Sequence, residues 1–415
     1  MRETSVVDSG IAKTLVLAIT LTAFVAVTYG FGVYLFATVV IEMKNDLGFG
    51  YSTVGTITAA AQIGFLVFAF AGSMLSRRIG GGVLALSSVG LCSICLLGLA
   101  YSNNALQAGV LLTLLGGCSA SVYVPLAEIV TRQVSEGYRA RLLGLISSGT
   151  SYGVFANGLF VPYAIPHFGW RSVWIVSGTL TLGLTLFALC VFTRYKLLRD
   201  VDASTSAPLR PMAENAGRGN QLAIIFGVTF LNGLTLLPFQ TYLVPMIRDE
   251  LHYSIITAGH VWSLIGAIGM VAGFALGVLA DRIGIKRAMI ITFSFSIIAT
   301  LLVWLRTGQS GLYIAALLFG LSFYPIFGLV PAYMSKTLPA ASLTKAFGIA
   351  NVMVGVGGMI GNFAGGWVKY QVGSLGLVYG AICLLLCLQF ALTCALRNDR
   401  DEHAVRITDG LARRT

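Results

Sequence analysis

The sequence predicts an all-α membrane protein of twelve transmembrane helices, arranged as two six-helix bundles related by pseudo-two-fold symmetry. Three observations carry that prediction. The composition is too apolar for a solvated fold, the apolar runs have the length of a bilayer crossing, and the chain matches itself at one fixed offset.

Of the 415 residues, 56% are hydrophobic and 10% charged, with a mean hydropathy of +0.84. A soluble domain carries about 25% charged residues, so no solvated surface can be made from this chain. A bilayer core about 30 Å thick needs roughly 20 apolar residues per helix. Runs of that kind fall at 14–41, 53–75, 83–101, 105–131, 142–163 and 171–193, then at 221–246, 255–279, 288–305, 311–335, 346–368 and 375–396. The first run is too long for the apolar region of a cleaved leader, and is expected to stay as helix one.

The net charge of +11 does not point to nucleic acid, because the basic residues sit in short loops between spans. Of the 27 Lys and Arg, all but Lys44, Arg171, Arg248, Arg306 and Lys369 fall on the side of the N-terminus. The inside-positive bias then places both termini in the cytoplasm and makes the number of spans even. The expected location is the inner (plasma) membrane of a bacterium, with the lipid bilayer as surroundings and a monomer as the working form. Seven cysteines all lie inside the predicted spans, which suits packing rather than disulfides.

Sliding the chain along itself aligns Lys44 with Arg248, 204 residues on, and Asp46 with Glu250. At the same offset Val40, Leu47, Thr53, Gly55, Val67, Phe70, Ala71, Leu75, Arg78, Ile79 and Gly80 meet identical residues, and Gly116, Gly144, Gly153 and Gly169 meet glycines. A duplication of six spans leaves both copies in the same orientation, related by an axis along the membrane normal. The expected organisation is a bundle at 1–193, a polar cytoplasmic linker at 194–219, a second bundle at 220–396 and a cytoplasmic tail at 397–415.

The loop after the eighth span reads GVLADRIGIKRAM, Gly277 to Met289. It resembles the G-x-L-a-D-r-x-G-r-[KR] signature of the major facilitator superfamily, and stands after a second-in-repeat helix as that family's signature does. The first-half copy, SMLSRRIGGGV from Ser73 to Val83, keeps Arg78 and Gly80 but has Arg77 where the family has Asp. In span five the antiporter signature G-x-x-x-G-P-x-x-G-G is matched at Gly149, Gly153 and Gly158 and departs at Val154 and Asn157. The segments YLVPMIRDELHYSIITAGHVWSLIGAIG and FGWRSVWIVSG look closest to the YbfB-like branch, with a more distant likeness to monocarboxylate and oxalate carriers.

The resemblance implies that helices one, four, seven and ten line a cavity and that two halves rock about it, taking up a small organic solute, such as a carboxylate or similar metabolite, by alternating access with protons. Efflux of drugs or metabolites is the alternative. On that reading Asp281, Arg282, Arg78, Arg132, Arg141 and Lys345 are the expected gating residues. Solute contacts are expected from polar and aromatic residues at mid-membrane depth, where an unpaired polar group is costly: Tyr29, Tyr34, Tyr123, Asn232, Gln240, Tyr324, Asn351 and Asn362, with Gln62 and Tyr152 weaker. Asn351 and Asn362 share one helix face by spacing. His260 and Glu128 are the candidates for proton coupling, although Glu128 four residues before Arg132 also reads as an ion pair. Glycines recurring every fourth residue, at Gly149 and Gly153 and at Gly357, Gly361 and Gly365, mark close helix packing.

No acidic residue stands in the middle of spans one, four or seven, and no Lys or Arg in the middle of spans eight or eleven, where the anion carriers of that family keep their bases. No metal or cofactor is expected. Gly149, Ser151 and Gly153 spell G-x-S-x-G, but inside an apolar helix without a histidine partner, so enzymatic activity is not expected.

Overall fold

The computed structural model of the protein describes residues 2–134, 136–198, 216–338 and 340–398. Of the expected linker and tail, residues 199–215 and 399–415 lie outside the described residues. Every regular element among the described residues is helical. Span one is built from Arg2–Val25, Ala26–Tyr34 and Leu35–Leu47, and spans two to four are Tyr51–Ile79, Gly81–Ala100 and Ala105–Gln133. Span five is Glu136–Ser147 followed by Gly149–Phe168, and span six is Trp170–Arg194. Ala216–Pro245 and Met246–Glu250 form span seven, and spans eight to twelve are Ile255–Ile283, Ile285–Trp304, Gly308–Thr337, Ala340–Val372 and Gly376–Ala395. Eleven of these are long and apolar enough to cross a bilayer. Span five is the exception, because Asn157, two prolines and several small residues dilute its hydropathy.

Tight turns between spans rest on glycines in the left-handed region. Gly80 (φ +88°) and Gly284 (φ +97°) end spans two and eight, and Gly169 and Gly373 (both φ +75°) end spans five and eleven. Each pair stands at the repeat offset of 204. An L side chain is strained in that region, so the duplicated glycines fix the same turn in both copies.

The helices gather into two compact units. Among the described residues, the first holds those up to 198 together with 243–266, and the second those of 216–242 and 267–398. In the first, span two runs along span four, span three packs on spans four and six, and the middle of span one packs on span five. Lipid tails are as apolar as leucine, so such contacts depend on close fit rather than on water exclusion. Glycines supply it: a Cβ on Gly116 would collide with the Ala61 carbonyl, and one on Gly64 with the Thr113 carbonyl. In the second unit span nine packs on spans ten and twelve, the pattern of span three carried forward by one repeat.

Each unit has an apolar interior of its own. Trp174, Phe24 and Phe192 are fully buried in the first. Phe239 stacks on Phe319 at 4.0 Å between centroids and meets Tyr379 edge-on at 5.3 Å in the second. Large apolar side chains also point outward, Phe70 being 71% and Phe274 77% exposed. That distribution suits a surface solvated by lipid.

Candidate functional site

Span one departs from α geometry where its candidate residues lie. The nine residues Ala26–Tyr34 form a π-helix, and Tyr29 and Tyr34 both belong to it. Such turns concentrate at functional sites. Tyr29 stands edge-on to Phe65 (6.3 Å) and to Tyr123 (6.2 Å), so the structure brings two predicted residues together and adds Phe65 from span two. Tyr123 is 48% exposed, and its hydroxyl lies 3.2 Å from the Ser147 hydroxyl. Span five backs this stretch. Gly153 faces Gly30 backbone to backbone, and Asn157, fully buried, donates from Nδ2 to the Gly30 carbonyl at 2.7 Å.

In the second unit Asn232, Gln240 and Asn362 are buried. Asn232 is tied into a network that the sequence did not disclose. Gln389 of span twelve donates to its Oδ1 at 2.8 Å and to the Val228 carbonyl at 3.1 Å, while Thr235 donates to the Gln389 Oε1 at 3.5 Å. Tyr242 donates to the Asn362 carbonyl at 2.5 Å. By contrast, both amide atoms of Gln240 and the Oδ1 of Asn362 make no hydrogen bond. Buried polar groups are nearly always paired, and leaving one unpaired costs free energy, so these atoms keep hydrogen-bonding capacity to spare. Tyr324 is half-buried with its ring edge-on to Phe323 at 5.1 Å. Asn351 is exposed and donates to the Phe347 carbonyl of its own helix at 3.0 Å, whereas Asn362 on the same helix is buried.

The glycine series falls where close packing was expected. Gly149 and Gly153 lie against span one, and Gly357, Gly361 and Gly365 against span seven, meeting Phe230, Leu234, Pro238 and Tyr242. Glu128 and Arg132 form an ion pair at 2.7 Å. His260 is exposed, as are Arg78, Arg141, Asp281, Arg282 and Lys345. Ser151 is fully buried in the first turn of the helix Gly149–Phe168, with helix rather than strand before it, which denies it the exposed strand-to-helix elbow of a hydrolase nucleophile.

A second polar cluster in the first unit was not anticipated. Arg248 pairs with Glu42, both mostly buried, Tyr51 donates to Asp249 at 2.5 Å, and Arg171 pairs with Asp46 at 2.6 Å beside Trp170. The one signal in the sequence was the alignment of Lys44 with Arg248 and of Asp46 with Glu250, which marks these helix ends without giving the pairing.

Three comparisons bear on this arrangement. The sequence model of the Major Facilitator Superfamily matches residues 22–362. Among curated proteins, the chain is 22% identical over 353 residues to the multi-drug resistance efflux pump PmrA of Streptococcus pneumoniae, covering 84% of this chain and 87% of that one. It is 24% identical over 385 residues to the 4-hydroxybenzoate transporter PcaK of Pseudomonas aeruginosa, covering 85% of each. The solved nucleoside transporter NupG superposes with a TM-score of 0.73 at 15% identity, over 92% of this chain and 99% of that one.

Proposed function

Because the chain belongs to the Major Facilitator Superfamily, we propose that this membrane transporter takes up a small organic acid, carried with a proton by alternating access. The observation that carries the reading is the character of the candidate site. The first unit offers an aromatic group at Tyr29, Phe65 and Tyr123, and the second, taken by itself, offers the unpaired Gln240 amide and the unpaired Oδ1 of Asn362, with no cationic side chain among the predicted contacts.

A carboxylate can only accept hydrogen bonds, and burying it without a cation is expensive. An undissociated acid both donates and accepts, as the Gln240 amide does. An acid bound in that form brings its own proton, which couples uptake to the proton gradient without a buried carboxylate on the protein. An aromatic acid also presents a ring to the tyrosines, in offset or edge-on contact. The similarity to PcaK supports testing 4-hydroxybenzoate first. We assign the solute to Tyr29, Tyr34, Tyr123, Asn232, Gln240, Tyr324, Asn351 and Asn362. Arg78, Arg132, Arg141, Asp281, Arg282 and Lys345 are assigned to a cytoplasmic gate on the side of both termini. His260 is the alternative proton acceptor.

The similarity to PmrA supports efflux as a second reading, while the departures at Val154 and Asn157 from the antiporter signature weigh against it. Purified protein in liposomes decides between them. Uptake predicts that 4-hydroxybenzoate accumulates when the outside is made acidic and that accumulation collapses with a protonophore. Indifference to the pH gradient would sink the proton-coupled reading, and proton-driven extrusion of a cationic dye with no acid uptake would establish the other.

A further inference from the structure

The structure assigns Asn157 the part of a positioning residue: its amide holds span one in the π-helical form, and so sets the directions of Tyr29 and Tyr34. The consequence for the solute rests on the reading given above, whereas the hold on span one does not.

The protein contains its own control. At the repeat offset of 204, Asn157 and Gly158 of span five stand opposite Gly361 and Asn362 of span eleven, so amide and glycine have exchanged places. The partner of Asn157 is the Gly30 carbonyl, at 2.7 Å. Carried forward by the same offset, that carbonyl is the one of Leu234, and the residue facing it is Gly361, where a Cβ would stand 2.6 Å from the oxygen. Where the amide is present, residues 26–34 are π-helical. Where glycine replaces it, the equivalent residues 230–238 are α-helical, inside Ala216–Pro245.

The physical link is the accounting of backbone hydrogen bonds. A π stretch shifts the pairing from i+4 to i+5, and its junctions with α-helix leave carbonyls without their usual partner. In a membrane protein an Asn side chain can hydrogen-bond across to the backbone of a neighbouring helix and hold its geometry. Asn157 does so to the Gly30 carbonyl inside the π stretch, at 2.7 Å, and it can reach because Gly153 and Gly30 let the two backbones touch: a Cβ on Gly153 would lie 2.6 Å from the Gly30 Cα. Leu234, in regular helix, faces a glycine and receives no such side-chain donor from that position.

The tyrosines follow from the helix type. In an α-helix, residues five apart such as Tyr29 and Tyr34 point about 140° apart, at 3.6 residues per turn. With pairing from i to i+5 they stand about one turn apart, on nearly the same face. Loss of the π stretch would therefore turn one of them away from the solute.

The test uses the full-length protein and two variants, Asn157→Gly, which copies the second repeat and only removes atoms, and Asn157→Leu, which keeps the bulk without the donor. Amide hydrogen exchange is followed across 26–34, and binding of 4-hydroxybenzoate is measured with the maximal uptake rate. The expected result is exchange at least tenfold faster within 26–34 in both variants. Affinity for the acid should fall about tenfold while the maximal rate holds, a split that loosened packing alone would not give. Unchanged exchange in the Asn157→Gly variant would overturn the assignment. Faster exchange with unchanged affinity would overturn the positioning role alone. If the wild-type protein binds no 4-hydroxybenzoate, the proposed solute fails while the exchange result still decides the hold on span one.

Discussion

Replacing Gln389 with leucine tests whether the buried network of the second unit behaves as the geometry says. Gln389 is fully buried and donates to Asn232 Oδ1 at 2.8 Å and to the Val228 carbonyl at 3.1 Å. Interhelical hydrogen bonds in membrane proteins average about 0.6 kcal/mol each, so losing both costs about 1 kcal/mol. The larger effect lies in what remains. Asn232, 2% exposed, would keep an amide oxygen with no donor, and such an orphaned group costs about 1–3 kcal/mol. Gln389→Leu should therefore destabilise the protein by about 2–4 kcal/mol. The double variant Gln389→Leu/Asn232→Leu removes both partners and should recover about 1–3 kcal/mol of that loss, because no buried group is left unmatched. Equilibrium unfolding in mixed micelles of rising dodecyl sulfate content, followed by tryptophan fluorescence, reads the four corners of the cycle. A single variant within about 0.5 kcal/mol of wild type, or a double variant that costs the sum of the singles, would refute the reasoning.

Arg248→Ala should destabilise the first unit by about 3–5 kcal/mol by stranding Glu42, whose side chain is 17% exposed, and Glu42→Gln/Arg248→Gln should recover much of that loss in the same unfolding assay. Gly153→Ala places a methyl 2.6 Å from the Gly30 Cα, and Gly357→Ala one 2.9 Å from the Leu234 nitrogen; each should cost about 1–3 kcal/mol and lower the melting temperature, with Ala at the open Gly183 as the harmless control. Tyr123→Ala should weaken binding of 4-hydroxybenzoate about tenfold, roughly 1.4 kcal/mol, with little change in melting temperature because the ring is 48% exposed.

Sequence alone determined the class, the spans and the duplication, because each is written in quantities that need no contact map. A bilayer dictates the length of an apolar run, and a duplicated glycine such as Gly80 with Gly284 marks a turn that no other residue makes comfortably. The four-residue glycine spacing in spans five and eleven likewise foretold close packing, though not that the partners are spans one and seven. What only the tertiary structure decided is which polar groups are already satisfied. Asn232 and Gln240 look alike in the sequence, yet Gln389, 157 residues beyond Asn232, completes one and leaves the other without a partner. Asn157 is a departure from a signature in the sequence, whereas in the fold its amide binds the Gly30 carbonyl, 127 residues away. Hydrogen bonds between helices join residues distant in the chain, and no local pattern of hydropathy or spacing records them.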